Sequence, residues 1–241
     1  FGCHGFCEKG PIIVIYPSKV CYPNVKAKDV SRIVSETVVK NKVIDELLYI
    51  APSTGKKITY EGEIPFYKKQ TRTIFGNNGR IDPKSIEDYI AIGGYSANVK
   101  ALTTMKPKDI IAEVKNSGIR GRGGGGFPTG RKWESASNAK GEKKYIICNA
   151  DEGDPGAYMD RSILEGNPHS IIEGMIIGAF AVGSHNGYIY VRAEYPLAVE
   201  HFSIALGQAR EIGLLGKNIL GTGFDFDIQI YQGGGAFVCG E

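Results

Sequence analysis

From Gly118 to Trp133 the chain reads Gly-Ile-Arg-Gly-Arg-Gly-Gly-Gly-Gly-Phe-Pro-Thr-Gly-Arg-Lys-Trp, and seven of the first thirteen residues are glycine. Glycine reaches positive φ freely and has no Cβ to hold a ligand away from the backbone. Successive exposed N–H groups can form a concave anion site, and Arg120, Arg122, Arg131 and Lys132 surround these ones. That chemistry suits the phosphate of a cofactor. A flexible linker would mix Gly with Ser, not with Phe, Pro, Trp and four cations.

Two phosphate-binding frames fit the letters but not the context. Gly121-x-Gly123-x-x-Gly126 spells a dinucleotide fingerprint, which needs a strand before it and a helix after it. Here Ile110, Ile111 and Val114 recur at helical spacing, and Gly118 stands where a C-cap would. A helix feeds the glycines, so a Rossmann turn is not expected. Gly125 and Gly130 give the P-loop spacing, but Arg131 and Lys132 stand where Lys and Ser/Thr are required.

Three further stretches carry polar or thiol chemistry. Cys148-Asn149-Ala150-Asp151-Glu152-Gly153-Asp154-Pro155-Gly156 offers donors and acceptors, and Gly233–Glu241 is a second glycine run ending in a carboxylate. Cys3-x3-Cys7 offers two soft ligands suited to iron–sulfur chemistry. Cys148 and Cys239 have no His in their motifs and read as packed thiols. Cys21 reads as a bystander, and His4, His169, His185 and His201 as structural or exposed.

The elements that must position these groups can be read in chain order. Ile12–Tyr16 is a β-type run, Cys21-Tyr22 borders a paired strand, and Asp29 is a credible N-cap for a helix carrying Val30, Ile33, Val34 and Val38. Residues 49–76 are charged and aperiodic and read as a linker. Asp82-Pro83 starts a helix that Gly93-Gly94 ends, and helical pattern continues to the glycine loop. Strands are expected over 144–149, 187–192 and 225–231, with helices over 168–182 and 196–212 between them. This βαβαβ order predicts an α/β fold with a parallel sheet. Ligands of such sheets lie beyond the carboxyl ends of the strands, where Asn149–Gly156 and Gly233–Glu241 both fall.

Composition narrows the class. A net charge of +3 does not by itself call for nucleic acid or membrane, and no apolar run approaches the roughly 20 residues of a span. Five scattered cysteines and no visible signal peptide favour a reducing, cytoplasmic setting. Phe1 and Glu241 read as cut ends.

Taken together, the three motifs resemble the family of flavoprotein (51-kDa, NADH-binding) subunits of respiratory complex I, with its hydrogenase and formate dehydrogenase relatives. The resemblance implies an FMN/NADH-binding domain over 77–241, with Gly121, Gly123, Lys132, Asn149, Asp151, Glu152 and Glu241 lining FMN. Arg122, Gly124 and Gly240 belong to the same walls. It implies NAD(H) stacked above, with Phe127 at its adenine end and Asp154 near the dinucleotide. Phe237 stands where many relatives carry Tyr.

The Cys3/Cys7 segment resembles the second half of a thioredoxin-like [2Fe–2S] ferredoxin domain over 1–48, with half of the ligand set. That fused segment points, within the family, toward the flavoprotein subunits of NAD(P)-linked iron hydrogenases. A [4Fe–4S] site is expected beyond residue 241. The implied reaction is hydride transfer between NAD(H) and FMN, then single electrons to the iron–sulfur subunits of a redox complex. The competing reading is a non-catalytic polyanion- or nucleotide-binding module with structural thiols, which would be colourless.

Overall fold

The computed structural model describes residues 5–235 of the chain, which forms two compact units that divide between residues 76 and 77. The N-terminal unit holds two buried clusters of apolar side chains and the C-terminal unit one large one.

In the N-terminal unit, β1 (Ile13–Ile15) and β2 (Val20–Tyr22) pair antiparallel, with Val14 opposite Cys21. A helical stretch over 27–39 follows, containing α1 (Val30–Arg32) and a π-helical turn, Ile33–Val39. The expected helix is therefore present, but it turns a different face inward. Ile33 and Thr37 are buried, while Val30, Val34 and Val38 are 43%, 48% and 54% exposed. The reason is polar: the fully buried Tyr22 hydroxyl needs partners, and it bonds Thr37 Oγ1 at 2.8 Å and accepts the Ile44 N–H at 2.9 Å.

Residues 49–76 correct the linker expectation. They form β3 (Tyr49–Ile50), β4 (Lys57–Ile58) and α2 (Pro65–Lys68), and β3 pairs antiparallel with β4. Tyr49, Ala51, Ile64 and Tyr67 bury against Cys21, and Phe6 stacks on Phe66 with centroids 4.3 Å apart. The apolar residues are spread aperiodically among exposed lysines, so no periodicity signalled them. Burial pushes the Cys21 thiol up to about 12, consistent with a packing role.

The C-terminal unit begins with α3 (Ile86–Ala91), α4 (Ser96–Thr104), α5 (Pro107–Asn116) and α6 (Thr129–Asn138). Its first helix starts at Ile86 rather than at Pro83, because Ser85 supplies the N-cap by accepting the Asp88 N–H at 3.1 Å. β5 (Tyr145–Ala150), α7 (Met159–Gly166), α8 (Pro168–Val182), β6 (Asn186–Val191), α9 (Pro196–Glu211) and β7 (Asp227–Gln232) complete it. α7 lies in a stretch with no expected element.

The sheet order is β5-β6-β7, both pairs parallel, with Cys148 opposite Ile189 and Ile189 opposite Ile230. The core between the sheet and α8 and α9 is built from Ile172, Ile176, Ile189, Phe202 and Ile228, all fully buried. The opposite face carries Tyr145, Ile147 and Tyr231, each at least half exposed.

Two close approaches set the helix layer. A Cβ on Gly130 would fall 2.6 Å from the Lys115 backbone N, so α6 lies hard against α5. A Cβ on Gly178 would fall 3.1 Å from the Trp133 ring, so α6 also lies on α8. Trp133 is thus a packing anchor.

A candidate FMN site at the carboxyl edge of the sheet

The glycine loop is a closed hairpin with an open tip. At its base the Gly121 N–H donates to the Phe127 carbonyl at 2.9 Å, and the Thr129 N–H to the Ile119 carbonyl at 3.0 Å. Arg120 Nε donates to the Gly126 carbonyl at 2.6 Å and ties the loop across its width. Gly124 and Gly126 sit at φ +88° and +57°, where other residues are strained. Gly123 and Gly125 have neither a positive φ nor any atom within 4 Å of a Cβ. Nothing in the protein's own packing requires glycine at those two positions, and the space around them is open to close approach by a ligand. The N–H groups of Gly123, Gly124 and Gly125 carry no hydrogen bond among the described residues.

The loop opens directly into the N-terminus of α6, whose N-cap residue is Pro128 and has no side-chain cap. Unsatisfied first-turn N–H groups and the helix dipole favour an anion there. Lys132 stands on that first turn with an exposed ammonium that has no ion-pair partner among the described residues. Arg122 is exposed beside the tip, and Phe127 is 51% exposed at its end.

Two contacts fix which edge of the sheet the loop faces. The Ser137 carbonyl, near the end of α6, accepts from Lys144 Nζ at 2.6 Å just before β5 begins. Four residues earlier, Trp133 lies on Gly178 of α8. Moving back along α6 is therefore moving back along α8, away from the strand starts. The glycine loop lies toward the carboxyl ends of the strands.

Those ends are tied together. After β5, Asn149 Oδ1 accepts the Asp151 N–H at 3.0 Å. Asp151 is 9% exposed, and its Oδ2 is buried without a hydrogen-bond partner. A buried, unpartnered carboxylate oxygen is costly unless a ligand donor meets it. Glu152 is placed differently. Its carboxylate accepts the Asp160 N–H at 3.0 Å and the Arg161 N–H at 3.2 Å, so it caps α7, and it accepts the Tyr195 hydroxyl at 3.1 Å. Asp154 is exposed in the same loop.

After β6, the Arg192 guanidinium donates to the Glu152 carbonyl. After β7, the Gly233 N–H donates to the Val191 carbonyl at 2.8 Å. Phe237, Gly240, Glu241 and Cys3 lie outside the described residues. Cys7 is exposed, in the N-terminal unit. Arg192 and Tyr195 went unnoticed in the sequence; their one signal was position, directly after the middle strand of the βαβαβ unit.

Two groups behind the loop have shifted protonation. Burial pushes the Cys148 thiol up to about 12, with Asp160 adding to it, so it is no nucleophile at neutral pH. Burial, and then the Glu152 charge, push the Asp160 carboxyl up to about 6 from 3.8. An aspartate in a first helical turn is ordinarily favoured as the anion; here desolvation wins. The folded state thus binds this proton more tightly than the unfolded chain does. The associated stability is full below about pH 4 and is lost as pH rises through about 6. Asp160→Asn is therefore expected to be more stable than wild type at pH 7.5, by about 1–2 kcal/mol after allowing for partial exposure. Thermal unfolding from pH 4 to 7.5 measures it, and parallel pH profiles for the two proteins would refute it.

The Nuo51 FMN-binding domain model matches residues 114–241, from the end of α5 through all three motifs. The chain belongs to this family. Among its relatives is HndC of Solidesulfovibrio fructosivorans, from an NADP-reducing hydrogenase. It is 57% identical over 174 residues, 72% of this chain and 35% of that protein. A chain of the NADH-quinone oxidoreductase of Aquifex aeolicus is 50% identical over 65% of this chain and 36% of its own length. The alpha subunit of the NAD-reducing hydrogenase HoxS of Cupriavidus necator is 34% identical over 99% of this chain and 37% of its own length. The chain thus spans little more than a third of these relatives.

The fold is similar to that of a chain in a crystal structure of an air-oxidized NAD+-reducing [NiFe]-hydrogenase. It superposes with a TM-score of 0.55 at 23% identity, covering 99% of this chain and 36% of that one. Among the described residues no helix is long and apolar enough to cross a membrane.

Proposed function

We propose that this chain binds FMN and serves as the NAD(P)H-oxidising part of a flavoprotein subunit in a multisubunit redox complex. One observation carries the reading. An open, cationic glycine loop and an uncapped helix N-terminus lie toward the edge of the sheet where Asp151 holds a buried, unpartnered oxygen. The first pair suits a phosphate, and the third suits a hydroxyl or ring N–H donor some distance away. A polyanion-binding module would use the loop but would gain nothing from a buried carboxylate.

In this reading Gly123 to Gly125 and Lys132 hold the phosphate. Asn149 and Asp151 orient the rest of the flavin, and Phe127 offers an apolar surface to the dinucleotide. Gly121, Arg122, Glu152, Asp154, Phe237, Gly240 and Glu241 complete the walls. Bound FMN would supply hydride acceptance from NAD(H) and release of single electrons. The protein's part is to fix geometry and charge; no side-chain nucleophile is required. The partners are then iron–sulfur subunits, and the setting is the cytoplasm. We further propose that the first 48 residues belong to a thioredoxin-like domain in which Cys3 and Cys7 supply two of four ligands to a [2Fe–2S] cluster. A [4Fe–4S] site would follow residue 241.

Reconstitution of the full-length protein with FMN, iron and sulfide tests both parts. Flavin absorbance is expected to co-elute with the protein on gel filtration at one equivalent. Iron content is expected to fall in Cys3→Ser and Cys7→Ser. A colourless protein after reconstitution would end the flavin reading, and unchanged iron in both variants would end the cluster reading.

A further inference from the structure

We propose that Tyr195 is a positioning residue for the flavin pocket, acting through Glu152; this rests on the FMN reading above. The observation is a contrast between neighbours. Asp151 has a buried oxygen with no partner, whereas the adjacent Glu152 carboxylate is occupied by three donors. Two of those are backbone N–H groups of α7, and the third is the Tyr195 hydroxyl at 3.1 Å from Oε2. The same residue is held at its carbonyl, which accepts from Arg192; the Tyr195 hydroxyl, its one proton given to Oε2, lies 3.4 Å from that carbonyl. Glu152 is thus gripped at side chain and backbone by the segment that follows β6.

The grip is itself braced. The Tyr195 ring is 9% exposed, with the Arg192 guanidinium carbon 5.3 Å and the Arg161 guanidinium carbon 5.9 Å from its centroid. Arg192 is also paired with Glu194 at 3.1 Å. A loop pinned at Glu152 can present the preceding carboxylate in one direction. The pocket's pre-organisation then comes from β6's carboxyl end, although no residue there is needed to touch the flavin. A hydrogen bond to a charged group commonly decides such a pose.

Tyr195→Phe in the full-length protein is the test, read by FMN fluorescence titration and by visible circular dichroism of the bound flavin. The expected result is an FMN Kd raised about tenfold, as for loss of one hydrogen bond to a charged group, with a changed dichroism band. Glu152→Gln is expected to raise Kd similarly, and the double variant no more than either single one, because the two act as one unit. Additive losses, or an unchanged Kd and dichroism band in Tyr195→Phe, would overturn the proposal. If Tyr195→Phe does not fold, Arg192→Gln, which frees the Glu152 carbonyl, is titrated alone: a raised Kd with a changed dichroism band supports the grip, and wild-type values overturn it. Wild type that binds no FMN would instead refute the flavin reading itself.

Discussion

Lys132→Ala is expected to weaken FMN binding about ten- to a hundredfold, the loss of a charge-assisted contact of roughly 1.5–3 kcal/mol, while the fold stays intact. Two other lysines of this layer are already engaged. Lys115 Nζ reaches Glu134 at 2.9 and 3.0 Å, and Lys144 Nζ reaches the Ser137 carbonyl. Lys132 has no such partner among the described residues and stands on the one helical turn that the glycine loop enters. Its charge is therefore available to a ligand. Removing it deletes nothing that holds the protein together. Asp151→Ala should also weaken binding, because the buried Oδ2 loses the ligand donor that would satisfy it. Flavin fluorescence titration on apo-protein, with far-ultraviolet circular dichroism as the folding control, reads both. Wild-type affinity in both variants would place the pocket elsewhere.

A large loss of stability is expected from Gly130→Ala. The new Cβ would lie 2.4 Å from Lys115 Cγ, 2.6 Å from its backbone N and 2.7 Å from its Cα. Two of those three atoms are backbone, so α5 and α6 must move apart. Overpacking of this kind costs about 1–3 kcal/mol, and a backbone wall puts it at the upper end. For a body of this size Tm should fall by about 6–12 °C. Gly125→Ala is the matched opposite. It has a normal φ and empty space around its Cβ position, so stability should change by less than about 0.5 kcal/mol while FMN affinity falls. A Gly130→Ala protein that melts with wild type would show that the two helices are not in fixed contact.

The strands and long helices of the second unit were legible because their cores demanded simple periods. Pro168–Val182 is apolar nearly all round and ends at Gly183, at φ +74°. Its boundaries follow from composition and two punctuating residues. The glycine loop was legible for the same reason, since so much glycine has few other uses.

What escaped was decided by polar bonds between residues that no periodicity links. Thr37 is buried because Tyr22, 15 residues earlier, needs a partner. α7 forms with its first turn capped by Glu152, in a separate segment. Tyr195 and Arg192 matter only once β5 and β6 are side by side. The residues of the supposed linker pack without any repeat, so pattern could not reveal them. Phe237, Gly240 and Glu241 rest on motif alone.

The base of the glycine loop has a kinetic consequence. Gly121 and Thr129 spend their N–H groups on Phe127 and Ile119, whereas Gly123 to Gly125 spend theirs on nothing else in the described protein. Amide exchange should therefore be slow at the two roots and fast at the tip before any ligand arrives. Only the tip should gain protection when one binds. A receptacle whose rim is already set needs no closing motion. Its variants should then differ chiefly in how long the ligand stays rather than in how fast it enters.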